Sequence, residues 1–216
     1  MAPKAPSRIS QLAAIIYSNT EKLDALCAAE SIPSPSFEVE IPPNAPAAFE
    51  QSRNEVLVAT DELFDLMLGP RQLAECDPLQ ASFNHTSLIG IQAIVRYGIA
   101  DHLKHDEEVT FSELAERCQL PANDLTRMLR QAMTRHIFKE PRKGYVAHTA
   151  ASKCYIDEPL LKDWVYLALE EIWPAAVYML DALDKWKGSG EPNHTVSLKR
   201  NFVKHETKVV LGIQHS

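Results

Sequence analysis

The chain is poor in glycine, with seven in 216 residues and no glycine-rich run. A phosphate-cradling loop at the head of an α/β domain needs several glycines close together after a hydrophobic strand. The one close pair late in the chain, Gly188 and Gly190 around Ser189, follows no such strand. Cysteine is scarce too. Cys27, Cys76, Cys118 and Cys154 are widely spaced and include no C-x-x-C pair, which excludes an obvious zinc or disulfide framework and suits reduced thiols in a cytoplasmic protein. No apolar run is long enough for a bilayer: the most apolar window, 160–183, is interrupted by Asp163, Glu170, Glu171, Pro174 and Asp181. The N-terminal MAPKAPSRIS has no apolar stretch after its basic residues, so no secretory signal is expected. Positive charge is also short. With 22 basic against 29 acidic side chains the net charge is −7, which argues against a dedicated nucleic-acid binder.

What is present is helix-forming. Hydrophobic residues make up 45% of the chain, ample for a core. An amphipathic helix is expected over 10–28, with Ile9, Leu12, Ile16, Leu23 and Leu26 at near-heptad spacing, so the arm 1–30 needs a partner surface. Five prolines in SIPSPSFEVEIPPNAP make 31–47 an extended linker. A second helix is expected over 48–68, with Val56-Leu57, Leu63-Phe64 and Met67-Leu68 on one face and Gly69-Pro70 as its stop.

The stretch 86–149 is the most informative. Leu88, Ile89, Ile91, Ile94, Val95 and Ile99 lie around nearly the whole circumference of a helix, which predicts burial on most sides. Thr110 and Glu113 form a T-x-x-E capping box ahead of Phe111, Leu114, Ala115 and Cys118. Leu120-Pro121 interrupts, and Asn123 is the expected cap of a second helix carrying Leu125, Met128, Leu129, Ala132 and Met133. Residues 137–140, 141–144 and 145–147 read as strand, turn and strand. The fold class is therefore mainly α: a winged helix-turn-helix core with flanking helices and a small β-hairpin wing. A strongly apolar helix over 158–187, kinked or split at Pro174, completes a domain spanning 48–187, followed by a tail over 188–216.

The ordered series ELFDLMLGP, SLIGIQAIVRYGIADHL, TFSELAERCQLPANDLTRMLRQAMTRHIF, GYVAHTAASK and EEIWPAAVYMLDALDKW resembles the N-terminal region of fungal and plant-type S-adenosylmethionine-dependent O-methyltransferases of small-molecule metabolism. The resemblance implies a winged-helix dimerisation domain, an intertwined homodimer, and helices that help cover the partner's substrate pocket. It places S-adenosylmethionine and the general base in a separate domain of full-length relatives. No catalytic or cofactor-binding residue is assigned here, and no cofactor is expected to be bound by this chain. The family pattern runs to about EPNHTVSL, and the rest of the tail reads as diverged or truncated. A premature stop, an unspliced intron and a genuine domain loss all produce that pattern.

Three sharper readings follow. The substrate-facing candidates are Tyr166, Glu170 and Trp173, spaced four and three apart on one helical face. By the resemblance they close over a small aromatic or polyketide-like ligand; the plainer alternative is interface packing with Glu170 met by a neighbouring arginine. A DNA-binding regulator would use Arg127, Arg130, Gln131 and Arg135, but the acidic surroundings favour a solvated face. His102, His105 and Asp106 beside Asp101 lack the converging ligands of a metal site, and none is expected. The expected partners are a second copy or a full-length methyltransferase, with no membrane and no nucleic acid.

Overall fold

The computed structural model describes residues 5–75 and 86–188, in two compact units. The first contains residues up to Ser87 with 149–151; the second contains 88–148 and the described residues from Ser152 on.

In the first unit, α1 (Arg8–Glu30) starts where the Ser7 hydroxyl accepts the Ser10 amide and ends at Ser31, whose left-handed backbone (φ 55°) turns the chain. The segment after it is irregular until α2 (Ala47–Glu75), as its prolines require. Gly69 (φ 72°, ψ 169°) leaves the helical region and, with Pro70, breaks α2 where the sequence placed its stop; a further helical stretch then runs to Glu75. The buried face of α1 keeps Leu12 and Leu23 of the expected stripe, with Ile16 and Leu26 half-buried, and adds a polar residue to it. Ile9 is exposed, and Leu12, Asn19, Leu23 and Cys27 face inward, with Leu23 and Cys27 closing on the fully buried Phe49 of α2. Spacings of seven, four and four bring a polar residue onto that face. Asn19 is satisfied there: its Nδ2 donates to the Ile15 carbonyl (3.0 Å) and to Glu55 Oε2 (2.8 Å), and Lys22 donates to its Oδ1 (3.1 Å). Near the start of α1, Arg8 grips Glu62 with both a 2.6 Å Nε bond and a second through Nη2. Leu57, Val58, Phe64 and Met67 of α2 remain exposed.

The second unit opens with α3 (Leu88–Arg96), which buries Gly90, Ala93, Ile94 and Val95 and is covered on most sides, Ile89 being its one exposed apolar residue. It ends at Gly98 (φ 60°), and a 3-10 turn over Ile99–His102 follows. Strand β1 (Val109–Thr110) leads into α4 (Phe111–Arg117), whose capping box forms as expected: Thr110 Oγ1 accepts the Glu113 amide (3.1 Å) while the Glu113 carboxylate accepts the Thr110 amide (2.8 Å). Helix α5 (Ala122–Met133) is capped by Pro121, which leaves Asn123 inside the first turn rather than at the cap. Strand β2 (Tyr145–Val146) pairs antiparallel with β1, Val109 opposite Val146. The expected wing forms as a short hairpin closed by one antiparallel bridge, Lys139 with Ala147, and its second strand also pairs with β1. Ile94, Ile99, Leu114, Leu125, Leu129, Phe138 and Val146 fill the core. After α6 (Ala150–Asp157), the long apolar segment divides into α7 (Pro159–Leu167), a π turn over Ala168–Ile172, α8 (Trp173–Val177) and α9 (Met179–Lys185). The tail after Gly188, with its weak strand pattern near Val209, lies outside the described residues.

The tightest approach in this unit is at Gly90. A Cβ there would lie 2.7 Å from the Met128 carbonyl oxygen and 3.0 Å from the Ala132 nitrogen, both backbone atoms of α5. Alanine in a helix gains about 1 kcal/mol over glycine, but forcing α3 off α5 costs roughly 1–3 kcal/mol. Gly90→Ala is expected to lower stability in urea denaturation despite the better helix propensity.

Candidate functional site

The surface that stands out is the far side of α7 to α9. Leu160 is 84% exposed, Trp164 60%, Val177 68% and Leu180 74%, with Ile172, Met179 and Leu183 also open. Side chains of this kind, contiguous along one run of helix, make an apolar surface larger than singly scattered residues do. Leu160, Trp164 and Leu167 share one face of α7 by their four- and three-residue spacing.

Pro174 interrupts the helix: it has no N–H to give to the preceding turn and its ring crowds a straight α-helix. The turn observed before it is a widened one, in which the Trp173 amide donates to Ala168, five residues back. The Leu169 carbonyl, which a residue with an N–H at position 174 would reach in that pattern, is met by Gln92 Nε2 of α3 at 3.4 Å. The same Gln92 nitrogen donates to Glu170 Oε1 at 3.0 Å. Arg96, one helical turn further along α3, closes on Glu170 with two bonds, Nε to Oε1 at 2.8 Å and Nη2 to Oε2 at 2.6 Å. The Glu170 side chain is only 17% exposed, and its hydrogen bond to Arg96 raises the arginine's pKa further above its ordinary value. Of the three substrate-facing candidates, Glu170 is thus held by Arg96 and Gln92, while Tyr166 is exposed and Trp173 half-buried. The π turn lies between Tyr166 and Trp173, so the uniform 3.6-residue spacing that put the three on one face does not hold here. Gln92 and Arg96 were not singled out from the sequence. Their signal was present: two polar residues four apart inside an otherwise apolar helix.

The helix-turn-helix face is differently occupied. Arg130 forms a bidentate pair with Glu140 (2.9 Å each) and lies 5.2 Å over the Phe111 ring. That pair, with the Gly144 amide donating to Glu140, holds the Glu140 carboxyl below the usual carboxylate range. Arg142 sits on the Tyr145 ring and 3.3 Å from Glu108. A phosphate docking on this face would have to displace carboxylates already there. Arg127 is exposed beside an open groove of about 850 Å³ floored by Ile89, Tyr97, Leu120 and Met128.

The residues weighed as a metal cluster go separate ways. His105 Nε2 meets Asp157 (2.9 and 3.0 Å), Asp106 lies 3.4 Å from Lys153 Nζ, and Asp101 pairs with Lys162. Nearby, His148 is buried (3% exposed), stacked on Phe138 at 4.9 Å. Its Nε2 faces the Leu103 carbonyl at 3.0 Å, which can only accept, so Nε2 carries the proton and Nδ1 accepts from the Ser152 hydroxyl at 2.8 Å. Ser152 is fully buried, which makes the pair a packing device and not a nucleophile with access to substrate. Cys118 is half-buried, and desolvation pushes its thiol up to about 11, away from the thiolate form.

Residues 82–158 match the O-methyltransferase dimerisation domain. Over 193 residues the chain is 37% identical to O-methyltransferase kk1A of Curvularia clavata, covering 88% of this chain and 44% of that protein. It is 35% identical over 182 residues to the chlorophenol O-methyltransferase of Trichoderma longibrachiatum, covering 83% and 38%. The chain therefore spans less than half the length of these relatives. Its fold is similar to that of OxaC, solved in complex with sinefungin and meleagrin, with a TM-score of 0.59 at 15% identity over 87% of this chain and 44% of that one. No described helix is long and apolar enough to cross a membrane.

Burial lowers the pKa of His148 below its ordinary value. The folded state therefore holds the ring neutral while the unfolded chain protonates near pH 6.5, so the associated stability is complete above that value and declines as pH falls below it. Urea midpoints measured from pH 7.5 to 5 are expected to fall, with a shallower slope in His148→Gln, which keeps hydrogen-bonding capacity but does not titrate.

Proposed function

This chain carries the O-methyltransferase dimerisation domain and belongs with the secondary-metabolite O-methyltransferases, and from that premise we propose that its 216 residues are the assembly and substrate-lid half of such an enzyme. In this reading it pairs with a second copy, or with a full-length methyltransferase, in the cytoplasm and does not transfer a methyl group by itself. S-adenosylmethionine is the methyl donor of the whole enzyme, bound outside these residues. The single observation that supports assembly is the exposed apolar run on α7 to α9 in a chain whose domain match is to a dimerisation module. The chemistry is assigned to other residues because the matched domain is the dimerisation domain and the chain spans 44% of its relative from Curvularia clavata.

Tyr166 and Trp173 are the proposed aromatic contacts for a small aromatic or polyketide-like ligand once the second copy is in place. Glu170 belongs to the same helix run but is committed to Arg96. Duplex DNA is not a proposed partner, since Arg130 is neutralised by Glu140 within the fold.

Sedimentation of the purified chain is expected to give a dimer, and Leu180→Asp, on the exposed face, is expected to weaken it by about tenfold or more. A monomeric wild type at all accessible concentrations overturns the assembly reading. Calorimetry with S-adenosylmethionine is expected to show no binding; a dissociation constant of about micromolar strength overturns the assignment of the cofactor to other residues.

A further inference from the structure

We infer that Gln92, Arg96 and Glu170 form a clasp that determines how α8 and α9 present their apolar residues to a second copy of this chain. The inference rests on the dimer reading and adds to it a set of positioning residues that do not touch the partner. Its starting point is the π turn. An α-helix advances about 100° per residue, and a five-residue hydrogen-bonded turn absorbs one extra residue, so everything after it is re-aimed by roughly that angle. Whether Val177, Leu180 and Leu183 lie in line with Leu160, Trp164 and Leu167 or turn away from them therefore depends on whether the segment 168–172 stays wide.

Pro174 forbids a regular α-helix here but does not choose the replacement. A proline leaves a sharp kink or a locally widened turn open as solutions, and the difference lies in which carbonyls are satisfied. In this fold the choice is made from α3. Gln92 supplies the missing donor to the Leu169 carbonyl, and the same nitrogen holds Glu170, the next residue. Arg96 then fixes the Glu170 carboxylate in a fork of two bonds, which restrains direction as well as distance. Three side chains thus tie the widened turn to α3, and α3 is itself pressed onto α5 at Gly90. The apolar residues are positioned by a polar contact that they do not themselves make. A second copy is the occupant to which the proposal commits, because the exposed face is apolar and lies on a chain that carries a dimerisation module.

The test uses the full chain and reads the dimer dissociation constant by sedimentation, with far-UV circular dichroism to confirm that helix content is kept. Gln92→Ala and Glu170→Gln, neither at the apolar face, are each expected to weaken the dimer by about tenfold, the scale of losing a charge-assisted bond. The exchanged pair Arg96→Glu with Glu170→Arg is expected to recover most of that loss, whereas either exchange alone does not. Because the exchanged pair keeps both charges, it remains informative even if a single variant loses structure. A dimeric wild type whose Gln92→Ala and Glu170→Gln variants dimerise equally well overturns the clasp and leaves the assembly reading standing. A monomeric wild type overturns both.

Discussion

The contact on which the second unit turns is the backbone approach at Gly90. With no Cβ in the way, α3 comes close enough to α5 that an added carbon would meet backbone at 2.7 Å, a distance no side-chain rearrangement relieves. Gln92 and Arg96 follow two and six residues later, roughly 200–240° around the same helix, and so face away from α5. One face of α3 is spent on the winged-helix core and the other on the π turn of the apolar helix run. A nine-residue helix thereby ties the core to the exposed apolar run.

That arrangement explains why a helix-turn-helix occurs in a chain of net charge −7. The second helix keeps its basic side chains, but Arg130 is folded back onto Glu140 and Phe111, and Arg142 is drawn to Glu108 and Tyr145. In a DNA reader those groups would be held ready for phosphates; here they fasten the wing to the helices. The architecture is the same and the electrostatics are spent internally, which is how one fold can serve assembly in place of recognition.

The parts of this structure that were legible in the sequence are those governed by neighbours in the chain. The Thr110–Glu113 box formed because both its bonds close within one turn. The prolines of the segment after α1 and the break near Pro174 were equally local. What escaped is non-local or depends on a choice among near-equals. Two-residue strands carry no periodicity, so the pairing of Val109–Thr110 with Tyr145–Val146, which adds β1 beside the wing, was invisible. Pro174 announced an interruption without saying that it would be a widened turn, and the shared face of Tyr166, Glu170 and Trp173 assumed a uniform period across it. The stripe on α1 omitted Asn19 for a related reason: a buried asparagine is indistinguishable from a solvated one until its partner on α2 is known.

That asparagine has a consequence for how the first unit is put together. The contacts Asn19–Glu55 and Arg8–Glu62 join two helices separated by an irregular segment, and nothing in their geometry records which copy of the chain supplies each helix. If α1 is handed to a neighbour, each bond re-forms unchanged in the exchanged arrangement. The choice between keeping the arm and trading it is then an entropic matter, decided by the reach of the proline-rich connection and the concentration of chains, with the enthalpy of the helix pair the same on either side.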